Sequence, residues 1–322
     1  MSVYLDNAAT TAVAPEVVES MIPVLRDSYG NPSSSHAIGR KSRVIIEQSR
    51  RAIARHLQCH AKTIYFTSGG TEADNLALRS AIRDLKCQRI ITSAAEHSAV
   101  IKTAESLSRS EGIVLELVNH FPDGTVDLEH LSALLSSGPK TLVSLMHANN
   151  EVGVLQDLDR IGTLCKEHGA LFHSDTVQTM CHYPFDLSKM PIDFVTCSAH
   201  KFHGPKGIGF LYIAEGLNVG GQIEGGNQER AVRAGTESIH SIVGLAKAME
   251  LAYHDLNEHE RHVRALKARM VTGLKSLFSD IRFNGNSDDS SRLYTVLNVS
   301  FPPHPKNGMA LFLLDLEGVA CS

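Results

Sequence analysis

The stretch Asp193-Phe-Val-Thr-Cys-Ser-Ala-His-Lys201 joins a short apolar run to a histidine and a lysine. The run has the length and composition of a strand that is buried on both faces of a sheet. Five similar runs are also predicted as strands, and helical patterns follow most of the early ones: Ile64–Thr67, Arg89–Ser93, Thr141–His147, Ala170–Ser174 and Ile208–Ile213. This alternation predicts an α/β fold with a mostly parallel sheet covered by helices.

The pattern changes near Asn257, where a second and smaller α+β domain is predicted to begin. Its predicted elements are a charged helix, a polar turn, a strand and a helix, at Glu258–Leu277, Asn284–Ser291, Thr295–Phe301 and Met309–Leu316. The predicted division is a large domain of residues 16–256 and a small domain of residues 1–15 and 257–322. Because the sequence stops at Gly318-Val-Ala-Cys-Ser322, where an apolar segment has just begun, we expect the gene product to continue beyond Ser322.

Composition narrows the class of protein. The chain has 322 residues, 43% of them hydrophobic, which suits one large core with a smaller companion. Its net charge of −4 provides no broad basic surface, so neither nucleic acid nor a membrane is an expected partner. No signal peptide or long apolar span is found, which predicts a cytoplasmic protein. The six cysteines form no C-x-x-C pair and are expected to be reduced thiols.

Polar side chains follow the predicted strands, at the edge of the sheet where ligands of α/β proteins collect. The first of these strands leads into Ser68-Gly-Gly-Thr-Glu72, where backbone N–H groups and the Thr71 hydroxyl suit a phosphate. The others lead to Glu96-His97, to Asn149-Asn-Glu151, to Asp175 with Gln178, and to Ser198-Ala-His-Lys201. Asp175 alone is equally consistent with a helix N-cap.

A pyridoxal 5′-phosphate (PLP) site needs a lysine for a Schiff base, a carboxylate for the ring nitrogen and a cradle for the phosphate. Lys201, Asp175 and the Gly70-Thr71 turn supply these groups. Lys206 is the alternative lysine, but we expect it to face solvent in a glycine-rich turn.

A metal pair is a further alternative for two histidines of this region. His200 and His203 have the spacing of ligands on a helix. Lys201 and the Gly204-Pro205 pair that follows make a helix unfavourable here, and no metal site is predicted.

Several motifs, taken in order, resemble the NifS/IscS-type cysteine desulfurases of the class V aminotransferase group, and the resemblance extends from Leu5 to Ser322. They are Tyr4-Leu-Asp-Asn-Ala-Ala-Thr-Thr11, Gly30-Asn-Pro-Ser-Ser34, Phe66-Thr-Ser-Gly-Gly-Thr-Glu72, Glu96-His97, Asn149-Asn-Glu-Val-Gly153, His173-Ser-Asp175, Ser198-Ala-His-Lys201, Gly204-Pro-Lys-Gly-Ile-Gly209, Gln228-Glu-Arg230 and Arg233-Ala-Gly-Thr236. The resemblance implies the fold type I of PLP-dependent transferases, with a seven-stranded sheet in the large domain.

The resemblance also implies roles for individual residues. Lys201 carries the Schiff base and later moves the substrate α-proton, and His97 stacks on the cofactor ring. The implied ring contacts are Asp175 to the nitrogen, Gln178 to the phenolic oxygen, and Asn150 near that oxygen and the substrate carboxylate. The implied phosphate ligands are Gly70, Thr71, Ser198 and His200, with Thr236 reaching the phosphate of a neighbouring subunit in a homodimer.

The implied reaction converts L-cysteine to L-alanine and leaves sulfur on an enzyme thiolate as a persulfide. An iron–sulfur scaffold or a tRNA-thiolation protein is the implied sulfur acceptor. Selenocysteine lyase, a cysteine C–S lyase that releases pyruvate, and a non-catalytic assembly partner remain alternatives.

Two features depart from the family pattern. Aligned with the family, Cys321 lies on a strand before the loop that carries the nucleophilic cysteine, so we do not assign it that role. The residues around the site in Ala94-Ala-Glu-His97 and Asp175-Thr-Val-Gln178 differ from the commonest family wording, which leaves the substrate preference less defined.

Overall fold

The computed structural model describes residues 2–289, 291–305 and 307–322. A seven-stranded sheet lies at its centre, in the order β2-β8-β7-β6-β5-β3-β4. Within the sheet β8 alone runs antiparallel to its neighbours. The strands of the described residues are β1 Val3–Tyr4, β2 Ile64–Thr67, β3 Arg89–Ser93, β4 Val114–Val118, β5 Thr141–Ser144, β6 Leu171–Asp175, β7 Phe194–Ser198, β8 Gly209–Ile213, β9 Arg282–Phe283, β10 Val299–Ser300 and β11 Val319–Ala320.

The predicted α/β class and the mostly parallel seven-stranded sheet are confirmed. Strand β4 was not predicted, because Glu116 interrupts its apolar run; it lies at the sheet edge, and only Val118 of its five residues is buried. The predicted strand Thr141–His147 ends earlier, at Ser144, and the chain then bends towards the polar segment that follows.

Helices cover both faces of this sheet. Two buried clusters result, one of which includes Ile53, Phe172 and Leu245 and the other Leu76, Ile90 and Phe194. The helices of the described residues are α1 Pro15–Asp27, α2 Ala37–His56, α3 Gly70–Arg83, α4 Ser98–Glu111, α5 Leu128–Leu135, α6 Leu158–Glu167, α7 Ile239–His254, α8 Leu256–Leu277 and α9 Ala310–Leu316. No helix among the described residues has both the length and the apolar content needed to cross a bilayer.

The C-terminal part contains two small sheets, in which β9 pairs with β10 and β1 with β11. The predicted strand Thr295–Phe301 is wrong in its extent, since only Val299–Ser300 is paired. Val296 instead packs against Leu293 and Ala148, and Asn298 donates to the Glu151 carbonyl, so the first half of the segment serves as an anchor. Ser290, within the predicted polar turn, lies outside the described residues, and the division into two domains stays a prediction.

An unusual turn precedes the segment that carries Thr236. Glu229, Arg230 and Ala231 are three consecutive non-glycine residues with positive φ, at 43°, 57° and 64°. The Glu229 carboxylate is buried and accepts two hydrogen bonds from the Arg50 guanidinium, both at 2.7 Å. It also accepts the backbone N–H of Phe66 at 2.8 Å, so this turn is fixed to both α2 and β2.

Candidate active site

A cavity of about 390 Å³ opens at the carboxyl ends of the central parallel strands. Nine of the ten predicted site residues line it: Gly70, Thr71, His97, Asn150, Asp175, Gln178, Ser198, His200 and Lys201. They come from turns after several strands, which the parallel arrangement brings to one edge.

Lys201 ends a short 3₁₀ segment, Ala199–Lys201, that directly follows β7. Its half-buried ammonium donates to the backbone carbonyls of Ala8 and Ala9. The preceding residue is fixed by Thr11, whose N–H and hydroxyl both donate to the His200 carbonyl at 2.9 Å. Burial lowers the pKa of the Lys201 amine, which enlarges its neutral and nucleophilic fraction.

Asp175 is the last residue of β6 and is 6% exposed. Its Oδ1 accepts the backbone N–H of Val177 at 2.9 Å within a turn, so the alternative of a helix N-cap is wrong. Burial is the main cause that raises the pKa of this carboxyl, and the nearby carboxyl of Asp74 adds to the effect. Asp175 is thus a buried acid that faces the cavity.

The turn from β2 into α3 leaves space for an anion. Gly69 has φ of 153°, a conformation that favours glycine. A side chain at Gly70 would bring its Cβ within 2.8 Å of Val177 Cγ2, so this position requires close backbone approach. The free N–H groups of the first turn of α3 therefore face the cavity together with the Thr71, Ser198 and His200 side chains.

His97, Asn150 and Gln178 lie around the rim. His97 is exposed and caps α4 by accepting the Ala99 N–H at 3.2 Å. Asn150 donates to the Glu151 carboxylate. Gln178 donates from Nε2 to the Ala8 carbonyl at 3.0 Å, so the contact with a ring oxygen that was predicted for it requires this bond to be shared or exchanged.

Sequence reasoning missed several groups of the cavity. The Ala8 and Ala9 carbonyls hold Lys201, and their motif was noted only as a family marker. Asp74 also lines the cavity and is 1% exposed. An acidic residue within the otherwise apolar face Ala73, Leu76 and Ala77 was the available signal for it.

Four other residues that the sequence analysis considered do not line the cavity: Lys206, His203, Thr236 and Cys321. Lys206 is exposed, and His203 is exposed with φ of 63° rather than helical. Thr236 is exposed and does not line the cavity of its own chain. Cys321 follows β11 and is half buried, whereas Ser322 next to it lines the cavity.

Comparisons with known proteins show the family to which the chain belongs. The family model of class-V aminotransferases matches residues 3–322. A cysteine desulfurase IscS of Clostridium botulinum (strain Kyoto / Type A2) is 39% identical over 320 residues, which are 98% of this chain and 80% of that protein.

Solved structures show the same likeness. A NifS-like protein superimposes with a TM-score of 0.92 at 37% identity, covering 99% of this chain and 87% of that one. The protein SspA in complex with cysteine gives a TM-score of 0.82 at 32% identity, covering 98% and 87%. The chain therefore belongs to the class-V aminotransferase family, within its NifS/IscS-type cysteine desulfurases.

Proposed function

We propose that this protein is a PLP-dependent cysteine desulfurase that converts L-cysteine to L-alanine and delivers the sulfur as an enzyme persulfide. The observation that carries the proposal is the Lys201 amine, which faces the same cavity as the buried Asp175 carboxyl and the open N-terminus of α3. The names of the relatives and the cysteine complex of SspA support the choice of substrate.

The cavity contains groups that suit both the phosphate and the ring of PLP. Val177 approaches Gly70 too closely for a side chain to be present there. The first turn of α3 is therefore uncovered at Gly70, and its free N–H groups suit a phosphate. Ser198 is 3% exposed and lies beside this turn, while burial lowers the pKa of His200 to about 4, so the imidazole is neutral. We assign Gly70, Thr71, Ser198 and His200 to the phosphate.

Asp175 and His97, which line the same cavity, would hold the ring of the cofactor. We assign Asp175 to the ring nitrogen, His97 to stacking on the ring, and Gln178 and Asn150 to the ring oxygen and the substrate carboxylate. PLP, when bound, supplies an electron sink for the bond that breaks at the substrate α-carbon.

We assign two roles to Lys201: it holds the cofactor and it moves the α-proton of the substrate. Two backbone carbonyls orient its nitrogen, and its lowered pKa enlarges the neutral, nucleophilic fraction of the amine that would hold the cofactor. The same nitrogen would take the substrate α-proton and return it. The hydrogen bonds from Thr11 to the His200 carbonyl fix the backbone next to this lysine.

Changing the lysine tests the assignment of cofactor and residue together. Lys201→Ala is expected to bind PLP without the Schiff-base absorbance at the edge of the visible range. Lys206→Ala is the matched control, because Lys206 is exposed and should leave the spectrum unchanged. An unchanged spectrum in Lys201→Ala would move the Schiff base to another lysine.

An anaerobic assay of the full-length protein with L-cysteine, PLP and a thiol reductant tests the reaction. Sulfide and alanine in equal amounts support the desulfurase. Sulfide with pyruvate would instead establish a C–S lyase. Neither product despite bound PLP would overturn the proposal. In the same assay with selenocysteine as substrate, faster turnover than with L-cysteine would establish a selenocysteine lyase.

A homodimer is part of this proposal. Large apolar side chains are exposed on and near α1 and α2, among them Ile22, Leu25 and Tyr29. Such a patch favours a protein partner, and Thr236, exposed and outside its own cavity, suits the phosphate of a second subunit. We further propose a cytoplasmic location and, as sulfur acceptor, an iron–sulfur scaffold or a tRNA-thiolation protein.

A further inference from the structure

Asp74 is a buried carboxyl in the cavity to which no role has yet been given. It lies on the second turn of α3, with 1% of its surface exposed, and its Oδ1 accepts no hydrogen bond. His173 Nε2 lies 3.5 Å from this oxygen, which is too far for a good hydrogen bond. Lys201, the lysine of the cavity, donates to the backbone carbonyls of Ala8 and Ala9. A buried carboxylate is costly unless it is paired with a cation or coordinates a metal, so Asp74 is suited to a positively charged ligand.

Two further groups that can bind a metal lie beside this carboxyl. One ligand atom from each of Asp74, Asp175 and His97 lies within 4.8 Å of the other two. The three residues come from α3, from the end of β6 and from the position before α4. A tetrahedral zinc ion holds its ligands at about 2.0–2.2 Å, which places them about 3.4 Å apart. Small rotations, chiefly of the exposed His97 side chain, would bring the three atoms to this spacing.

Asp175 and His97 each have a lone pair that a metal could use. Asp175 accepts the Val177 N–H with Oδ1 at 2.9 Å, and its carboxylate has further lone pairs for a metal. His97 accepts the Ala99 N–H with Nδ1 at 3.2 Å, at the long end of the hydrogen-bond range. A neutral imidazole offers one lone pair, so a metal bound through either ring nitrogen would replace this long hydrogen bond.

The set of donors indicates the kind of ion. One imidazole and two carboxylates suit a divalent transition-metal ion such as Zn²⁺, whereas Mg²⁺ prefers an octahedron of oxygen ligands and releases its water reluctantly. Three protein ligands leave one position of a tetrahedral ion for water, for which the cavity of about 390 Å³ has room. The charge of the ion would compensate both buried carboxylates.

We propose that the cofactor-free protein binds one divalent transition-metal ion through Asp74, Asp175 and His97, and that this ion and PLP exclude each other. The metal site stands on the three side chains alone. The exclusion rests on the proposed function, in which Asp175 and His97 hold the ring of the cofactor. Asp74 belongs to the metal site only, and a chain that holds the ion takes up PLP only after the ion has left.

Zinc binding to the untagged, full-length protein freed of PLP tests the site, with competition from a chromophoric chelator as the readout. We expect one Zn²⁺ ion per chain that no longer binds once PLP has been fixed to Lys201 by borohydride reduction. Asp74→Asn should weaken the binding of this ion by at least about tenfold, because a neutral group replaces an anionic ligand. Equal affinity in the wild type and Asp74→Asn, or displacement of the zinc by equimolar Mg²⁺, would overturn the inference.

Glu105→Gln is the matched control, since it removes an exposed carboxylate on α4 outside the cavity lining and should leave the zinc affinity unchanged. A second ligand variant, His97→Asn, covers the case in which Asp74→Asn does not fold. His97 is exposed, and asparagine keeps a side-chain oxygen that can cap α4. His97→Asn should also lose at least about tenfold in zinc affinity, and wild-type affinity in this variant would refute the set of ligands.

The exclusion is tested by loading the protein with Zn²⁺, removing free ion by gel filtration and then adding PLP. One Zn²⁺ ion should be released for each PLP bound, and PLP binding with the zinc retained would refute the exclusion. The same titration without metal tests the proposed function separately. A protein that binds Zn²⁺ through Asp74 but never binds PLP would overturn that function and leave the metal site intact.

Discussion

Two buried sites of this protein hold charged groups in opposite ways. At the turn near Thr236, Glu229 is 4% exposed and meets both nitrogens of the Arg50 guanidinium. At the cavity floor, Asp74 and Asp175 face each other with no buried cation between them, and Asp74 Oδ1 has no hydrogen-bond partner. The first site is a satisfied ion pair, and the second is a pair of acids with raised pKa values.

The ion pair has a structural role, whereas the pair of acids has the properties of a functional site. A buried ion pair whose hydrogen bonds are all made holds elements together and has no reason to exchange protons. Buried carboxyl groups with raised pKa values are costly to ionise while the site is empty. A positively charged ligand would stabilise their ionised form. Burial alone does not mark a functional carboxyl, whereas burial beside a second carboxyl, without a cationic partner, is typical of a functional one.

Breaking the ion pair should give the largest effect. Arg50→Ala leaves the Glu229 carboxylate buried without compensation, and we expect a loss of roughly 3–5 kcal/mol in the free energy of unfolding. Urea unfolding at neutral pH measures it. Arg50→Met with Glu229→Gln should recover much of the loss, and a double variant as unstable as the single one would contradict this account.

Neutralising the cavity floor should act in the opposite direction. The pKa of Asp74 is raised to about 7 in the folded protein, so the native state holds a proton that the unfolded chain has released. This contribution to stability is present at low pH and is lost as the pH rises through 7. Cofactor-free Asp74→Asn should therefore gain on the order of 2 kcal/mol on the wild type between pH 5.5 and pH 8.5, by urea unfolding.

The smallest effect is expected at Glu72, two residues from Asp74 on α3. Burial would raise the pKa of this carboxyl, but hydrogen bonds from Arg233 and Ser68 outweigh it and lower the pKa. The stability it provides is present above its ordinary pKa and is lost as the pH falls. Glu72→Gln should cost about 1 kcal/mol at pH 7 by urea unfolding, and a gain in stability there would show that the contrast with Asp74 is wrong.

Much of the sheet and of the cavity was predictable because both depend on local patterns. Buried strands such as Phe194–Ser198 are continuous apolar runs, and parallel strands bring their following turns to one edge. That rule placed Asp175 and Lys201 in one cavity without any long-range information. The edge strand Val114–Val118 has no such continuous run, and for that reason it was missed.

Contacts between distant segments were not predictable in the same way. The Ala8 and Ala9 carbonyls lie 193 and 192 positions before Lys201 in the sequence, and no pattern near these residues indicates the contact. Asp74 interrupts an apolar helix face, which indicates that it is unusual, but only the fold shows that it is buried against β6. Such pairings arise from tertiary packing, which determines whether a carboxyl is solvated, paired or left alone.

The Arg50–Glu229 pair also bears on the order of folding. It joins residues 179 positions apart, and Glu229 makes it from a run of three left-handed residues that are costly to hold. We expect a contact across so long a loop to form late in folding, after α2 and β2 have formed. The pair should therefore stabilise the native state but not the folding transition state. Its loss in Arg50→Ala should appear as faster unfolding rather than slower folding.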